Sequence, residues 1–102
     1  MKLIILQQAD EELYQAASYY EKQQAGLGYK FLDEVETHIK WISVNSIIPR
    51  VRQGNYRRIN LKIFPFYIPY IPYMIHQDRI WILAIAHSHR KPIYWVDRKD
   101  DI

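Results

Sequence analysis

The chain has 102 residues, of which 49% are hydrophobic and 25% charged, and it contains no cysteine. This composition excludes a disulfide framework, a thiol nucleophile and a Cys-ligated zinc site, and it predicts one domain, residues 1–102, with a single hydrophobic core. The longest apolar run, residues 80–86, is far shorter than the roughly 18 residues that span a bilayer. Residues 3–6 are too short for the apolar region of a signal peptide. We therefore expect a cytoplasmic protein with no membrane segment.

The net charge of +3 is unevenly distributed along the chain. Residues 1–48 hold four lysines, no arginine and seven acidic residues, a net charge of −3, whereas residues 49–102 hold three lysines, seven arginines and four acidic residues, a net charge of +6. Because the guanidinium group is planar, permanently charged and suited to phosphate and carboxylate, this asymmetry is typical of a face that binds a polyanion or an acidic partner. The alternative is a solvated sheet face.

The first half of the chain predicts a strand followed by a helical hairpin. Residues 2–6 predict an N-terminal strand, and acidic residues 10–12 then lie where the start of a helix favours negative charge. Apolar side chains recur at helical spacing in two segments, Ala9, Leu13, Ala16, Ala17 and Tyr20 in the first and Phe31, Val35, Ile39 and Ile42 in the second. Between them, Gly26-Leu27-Gly28 predicts the tight turn of an αα-hairpin.

After Pro49 the hydrophobic pattern changes to a period of two. Polar or basic side chains alternate with apolar ones in the order Arg58, Ile59, Asn60, Leu61, Lys62, Ile63. This alternation predicts a half-buried strand with one basic face. Residues 80–86 are apolar throughout and predict a central strand covered on both faces. The order β-α-α-β-β-β predicts an α+β domain whose mainly antiparallel sheet is packed on one side by the hairpin.

Residues 64–73 interrupt this simple pattern, because the tripeptide Ile-Pro-Tyr occurs twice in succession, at 68–70 and 71–73. Proline cannot donate to a sheet ladder, so a regular central strand is not expected over residues 68–72. A polyproline II segment would place Tyr67, Tyr70 and Tyr73 on one face, available to bind a peptide or stack bases. The alternative is a core segment or an edge strand with a bulge.

A set of motifs extends over nearly the whole chain: Tyr19-Tyr20, Gly26-Leu27-Gly28, Phe31-Leu32, Ile48-Pro49, Gly54-Asn55-Tyr56-Arg57-Arg58, Phe64-Pro65-Phe66, the apolar run that ends at His87, and Arg90-Lys91-Pro92-Ile93-Tyr94-Trp95. With these motifs the sequence resembles the RelE/ParE toxin superfamily of type II toxin–antitoxin systems, and within it the ParE or plasmid-stabilisation branch. The resemblance implies the α+β fold described above and a cognate antitoxin, acidic and partly disordered, that wraps the toxin. Relatives of this kind usually have a shorter segment between Phe-Pro and the following turn, and removing one Ile-Pro-Tyr would restore that length. The doubled tripeptide is therefore interpreted as a three-residue duplication that alters the third strand.

The resemblance leaves two activities open. RelE-like members are ribosome-dependent mRNA endoribonucleases, and metal-free RNA cleavage requires a base, an acid and a cation beside the phosphate; in that case His87, Arg90 and Tyr94 would be catalytic. ParE-like members poison DNA gyrase, and the closing His, Arg, Pro and Tyr-Trp arrangement favours this branch. We therefore expect a ParE-like toxin that poisons gyrase and is neutralised by its antitoxin. The alternatives are a RelE-like nuclease and an inactivated homologue that only binds antitoxin.

The predicted contact surface for target or antitoxin consists of Arg57, Arg58, Lys62, Arg79, Arg90, Tyr94, Trp95 and Arg98. No cofactor and no metal are expected. Plain structural roles remain as alternatives: His87 as an ordinary histidine at a strand end, Arg90 and Arg98 in salt bridges to the first helix or the C-terminal acids, and Tyr94 and Trp95 packing the C-terminal segment onto the sheet.

Overall fold

The structure, a computed structural model, describes residues 2–72 and 78–102. Its elements in chain order are β1 (Lys2–Ile5), α1 (Gln7–Gln23), α2 (Leu27–Asn45), β2 (Arg57–Asn60), β3 (Phe66–Ile71), β4 (Arg79–Ile82), β5 (Ala86–His87) and a 3-10 helix (Val96–Asp101). This order confirms the predicted N-terminal strand, helical hairpin and following strands. No helix within the described residues is long and apolar enough to cross a membrane.

The strands form one sheet in the order β1-β4-β3-β2, and β5 pairs with β3 beyond the end of β4. β1 runs parallel to β4, whereas the other pairs are antiparallel. The sheet is therefore mainly antiparallel, as predicted, with one parallel pair at the β1 edge.

The turn between α1 and α2 depends on two glycines and one carboxylate. Gly26 has a φ of 88°, in the left-handed region that other residues rarely adopt. At Gly28 a Cβ would lie 2.6 Å from the carbonyl oxygen of Ala17, so the two helices approach too closely for a side chain. The Glu21 carboxylate accepts hydrogen bonds from the N–H groups of Gly26 and Gly28 at 2.9 and 3.0 Å. It thereby caps the start of α2, where unpaired N–H groups favour an anion.

The two faces of β3 carry separate hydrophobic clusters, because alternate side chains of a strand point in opposite directions. Tyr70 packs toward the helices, in a cluster that includes Phe31 and Ile42. Tyr67 packs on the other face with Trp95 from the C-terminal segment. The sheet thus lies between the helical hairpin on one side and the C-terminal segment on the other.

The prediction that a regular central strand avoids residues 68–72 is wrong for 68–71, since β3 lies between β2 and β4. Pro69 is fully buried within it. The carbonyl of Pro69 accepts a hydrogen bond from the Leu83 N–H at 2.9 Å, so the proline nitrogen also points toward Leu83. Leu83 lies just beyond the end of β4, and no ladder hydrogen bond is lost there. Tyr67 and Tyr70 point to opposite faces, which contradicts the polyproline stripe, and Tyr73 lies outside the described residues.

The predicted central strand over residues 80–86 is buried for most of its length, as expected, but it is interrupted. β4 and β5 are separated by residues 83–85. The Ile85 N–H donates to the Glu12 carboxylate at 3.2 Å, and the Leu83 carbonyl accepts a hydrogen bond from Arg98 at 3.0 Å. The ladder can end here because these side chains satisfy the backbone groups that a neighbouring strand would otherwise pair.

β2 is shorter than the alternation of residues 58–63 predicts. Ile59 and Leu61 pack in the helix-facing cluster as expected, but Ile63 is 62% exposed. The chain leaves the sheet because the Glu34 carboxylate on α2 accepts the N–H groups of Ile63 and Phe64, at 3.0 and 3.4 Å. The predicted half-buried strand is confirmed, but the prediction that Ile63 faces the core is wrong.

Candidate functional site

The gap between β4 and β5 is filled by the carboxylate of Glu12, which lies in the second turn of α1. The Glu12 side chain is 12% exposed. Its two oxygens accept hydrogen bonds from Nη1 and Nη2 of Arg98 at 2.9 and 3.0 Å, in a bidentate pair. The same carboxylate accepts hydrogen bonds from the Tyr94 hydroxyl and from Nη1 of Arg90, which is 3.5 Å away. We call Glu12, Arg90, Tyr94 and Arg98 the Glu12 cluster.

Arg90 is the member of the Glu12 cluster that reaches the surface. Its guanidinium carbon lies 3.7 Å from the centroid of the Tyr94 ring, and its side chain is 54% exposed. Burial raises the pKa of the Tyr94 hydroxyl above its usual value, and the hydrogen bond to Glu12 and the charge of that carboxylate raise it further. Tyr94 therefore stays a neutral hydrogen-bond donor at physiological pH. Its ring holds the exposed cation of Arg90 in one orientation.

The structure brings together only two of the three residues predicted to be catalytic if the chain were a nuclease. A turn brings Arg90 back to His87, with the Arg90 N–H donating to the His87 carbonyl at 3.1 Å. The His87 ring, however, packs edge-on against Phe66 at 5.0 Å between centroids, on the side of the sheet that faces the helices. Its Nδ1 accepts a hydrogen bond from the His89 N–H at 3.0 Å. His87 thus occupies the position of an ordinary strand-end histidine.

The basic residues predicted for the contact surface do not share one face. Arg57 points toward the helices and donates to the carbonyl oxygens of Ile47 and Pro49 at 2.8 and 2.6 Å. Arg58 points to the opposite face, where its guanidinium carbon lies 4.4 Å from the centroid of the Tyr67 ring. The predicted contact residues Arg57 and Arg58 are therefore divided between the two sides of the sheet, and Arg58 lies on the non-helical face, as the alternation predicts.

The remaining predicted contact residues differ in how accessible they are. Lys62 is exposed after the end of β2, and Arg79 is half-buried on β4. Trp95 is fully buried, and its Nε1 donates to the hydroxyl of Tyr67 at 3.0 Å, so the prediction that it forms part of a contact surface is wrong. Arg98 is 17% exposed and forms an ion pair with Glu12 within the Glu12 cluster. Both residues instead fill the structural roles that the sequence left as alternatives.

A groove of about 650 Å³ lies between α2 and the segment that follows β2. Its apolar lining includes Trp41, Ile59 and Ile63, and Lys30 and Lys62 also line it. The end of α2 and the turn after it add further exposed apolar side chains, Val44, Ile47 and Ile48. Exposed apolar side chains of this density are typical of a protein-binding surface. We call this feature the α2 groove.

The family model described as the ParE toxin of type II toxin-antitoxin system, parDE, matches residues 3–92. The chain belongs to the ParE toxin family. Among solved structures, a chain titled the chromosomal ParDE TA system from P. aeruginosa is similar, with 20% identity and a TM-score of 0.63. The similarity covers 87% of this chain and 97% of that one, and it shows a shared fold. No curated protein matches the sequence significantly.

Glu12 is the central residue of the site in this ParE-family chain, and the sequence interpretation missed it. The acidic run at 10–12 was attributed to the helix dipole, yet only Asp10 lies in the first turn of α1. Glu12 follows the buried Ala9 by three residues and precedes Ala16 by four, so it lies on the apolar stripe of the helix. A carboxylate at such a position signals a buried cationic partner, because an unpaired buried charge is strongly unfavourable.

The Glu12 cluster of this ParE-family chain suits recognition better than proton transfer. Its carboxylate is occupied by Arg98, its tyrosine is held protonated, and the His87 ring lies on the other side of the sheet. Within residues 2–72 and 78–102, no group of three His, Asp or Glu side chains is arranged to hold a metal ion. The site presents an exposed guanidinium that stacks on the Tyr94 ring beside the Glu12 carboxylate.

Proposed function

We propose that residues 1–102 act as a single domain in the cytoplasm, as the toxin of a type II toxin–antitoxin module that inhibits growth by poisoning DNA gyrase. The observation that carries the proposal is the exposed Arg90 guanidinium, fixed on the Tyr94 ring by Glu12. An arginine that is already oriented loses little conformational freedom when it contacts a target. Membership of the ParE family supports this interpretation of the surface.

The same geometry favours target binding over RNA cleavage. Metal-free cleavage requires a base beside the 2′-hydroxyl and a cation beside the phosphate, within reach of one nucleotide. Arg90 could supply the cation, but the His87 ring packs on Phe66 on the helix-facing side of the sheet. Tyr94 stays protonated at neutral pH because its pKa is raised, so it offers no phenolate to act as the base. The RelE-like nuclease is therefore the competing outcome of the test below.

Expression in cells that lack the antitoxin tests the proposal. Wild type should arrest growth and produce DNA breaks and an SOS response, Arg90→Gln should abolish both, and Lys91→Gln, a change at the exposed neighbouring position, should behave as wild type. Arrest of translation with cleaved mRNA and intact DNA would contradict the gyrase assignment and support the nuclease. A folded protein that causes no arrest would support the inactivated homologue that retains only antitoxin binding.

We further infer that the cognate antitoxin covers the α2 groove. Its apolar lining suits an amphipathic segment that becomes ordered when it binds, and Lys30 and Lys62, which line the groove together with Asp33 and Glu34, can pair with acidic residues of that segment. The partner to test is the product of an adjacent reading frame that encodes a short acidic protein. Trp41→Ser should weaken the complex, whereas Tyr29→Ser, at an exposed aromatic outside the groove, should not. Equal affinity of both variants for the antitoxin would contradict this placement.

A further inference from the structure

Three arginines outside the Glu12 cluster surround the turn that leads into β2. Arg52 and Tyr56 form an antiparallel bridge in which the Arg52 N–H donates to the Tyr56 carbonyl at 2.7 Å. Bridged residues share a face of a hairpin, as do residues two apart on a strand, so Arg52, Tyr56 and Arg58 point to the same side. Arg50 lies two residues before Arg52, close enough for its charge to act on the Arg52 guanidinium.

The face that carries these arginines rests on buried aromatic rings. The guanidinium carbon of Arg58 lies 4.4 Å from the centroid of the Tyr67 ring. Tyr56 packs edge-on against the buried Trp95, with ring centroids 4.6 Å apart. The arginines are therefore attached to the rigid face of the sheet that the C-terminal segment covers, and they are separate from the α2 groove on the helix side.

The positive charges in this cluster are close together and uncompensated. Burial, followed by the charges of Arg58 and Arg50, lowers the pKa of Arg52. Residues 37–77 contain no Asp or Glu, and among the described residues none of the three arginines forms an ion pair. The Nε of Arg58 is buried without a hydrogen-bond partner there. Like charges held close together repel one another, so a bound anion would relieve an unfavourable arrangement.

We propose that Arg50, Arg52 and Arg58 form a binding site for the phosphodiester backbone of a nucleic acid. An acidic peptide that folds on binding gains much of its affinity from apolar contacts. Val51, between Arg50 and Arg52, is exposed and lines a shallow pocket with Tyr56. Closely spaced arginines suit a chain of phosphates, because the guanidinium fork fits phosphate oxygens and the affinity comes from neutralised charge and released counterions.

The site can be tested with the full chain and a labelled oligonucleotide, single-stranded and as a duplex, by fluorescence anisotropy over a range of salt concentrations. The variant R50Q/R52Q/R58Q removes the three charges, and the control K2Q/K22Q/K40Q removes the same charge from β1 and α1–α2. The arginine variant should bind about tenfold more weakly at low salt than the control. Its slope of log K against log salt should be smaller by about 2 for the single strand and about 3 for the duplex.

Two outcomes would overturn the proposal. If both triple variants lose affinity equally, binding is diffuse and the three arginines form no site. If a polyglutamate of matched charge binds the same arginines as tightly as the oligonucleotide, the partner is a carboxylate chain and the phosphate assignment is wrong. Circular dichroism and the Tm provide the folding control, because removing charges that repel one another should leave the Tm unchanged or raise it. Neither result depends on gyrase or on growth arrest, so this site and the proposed function can fail separately.

Discussion

The guanidinium of Arg98 is joined to the carboxylate of Glu12 by two hydrogen bonds of 2.9 and 3.0 Å, which connect the C-terminal 3-10 helix to α1 through the gap in the sheet. Arg98 also donates to the carbonyl of Leu83, a residue of that gap. The same carboxylate binds Tyr94, which carries Arg90 on its ring. The contacts that hold the C-terminal segment in place therefore also orient the exposed arginine of the proposed target site.

Replacing Glu12 with Gln should lower the free energy of unfolding by about 2 to 4 kcal/mol, because it leaves the charge of the mostly buried Arg98 without its partner. Urea unfolding followed by tryptophan fluorescence measures this loss. The matched control Glu11→Gln changes an exposed carboxylate on the same helix, and it should alter stability by less than about 0.5 kcal/mol. Similar losses in both variants would show that Glu12 is not the link described here.

Gly28→Ala should destabilise the helical hairpin by about 2 kcal/mol or more, because the new Cβ would collide with the carbonyl of Ala17. Gly26→Ala meets no atom within 4 Å, so its smaller loss, about 1 kcal/mol, should come from the left-handed backbone alone. Gly26→Asn should lose less than Gly26→Ala, since Asn tolerates that conformation better. Thermal unfolding of the three variants would reveal this order, and a well-tolerated Gly28→Ala would contradict the close helix contact.

The helical hairpin was predictable because its information is local. Apolar side chains at helical spacing and the Gly26-Leu27-Gly28 turn identify both helices before any long-range contact is known. The strands were less predictable, because what decides them is distant in sequence. Pro69 is tolerated in a central strand because the Leu83 carbonyl opposite its nitrogen is paired with Arg98, a residue far along the chain.

The candidate site, like the fold, was only partly predictable from the sequence. The closing motif that contains Arg90 and Tyr94 was identified from the sequence, and the structure places these two residues in contact. Their partner Glu12 was not recognised, because an acid near the start of a helix has a sufficient local explanation. The position of His87 on the helix-facing side depends on the pairing of β5 with β3, which two residues of strand are too short to predict.

Pro69→Ala should change the free energy of unfolding by less than about 1 kcal/mol, since the Leu83 carbonyl opposite the proline nitrogen is already paired with Arg98 and the substitution acts mainly through the unfolded chain. Ile68→Ala, at the neighbouring fully buried position, should lose about 2 to 5 kcal/mol. Chemical denaturation of the pair gives the comparison. A large loss from Pro69→Ala would mean that the proline stiffens the strand in a way its hydrogen bonding does not explain.

Stability should fall as the pH rises above 10. Burial raises the pKa of Tyr70 from 10.0 to about 12, and burial together with Glu12 raises that of Tyr94. In this range the unfolded chain releases both protons while the folded protein retains them, so each step up in pH favours unfolding until the folded pKa is passed. Tyr70→Phe should make the decline between pH 10 and 12 shallower, although it also removes the hydrogen bond to the Ser46 carbonyl. An unchanged slope in urea unfolding at several pH values would contradict this origin.

The central claim is that the Arg90 guanidinium, held by Tyr94 and Glu12, is the part of the protein that acts on gyrase. The most direct measurement is the amount of cleaved plasmid that purified gyrase accumulates in the presence of the purified chain, compared with Arg90→Gln of matched Tm. The account predicts that wild type increases cleaved DNA and that Arg90→Gln does not. Absence of any increase with wild type, or an Arg90→Gln variant as potent as wild type, would contradict it.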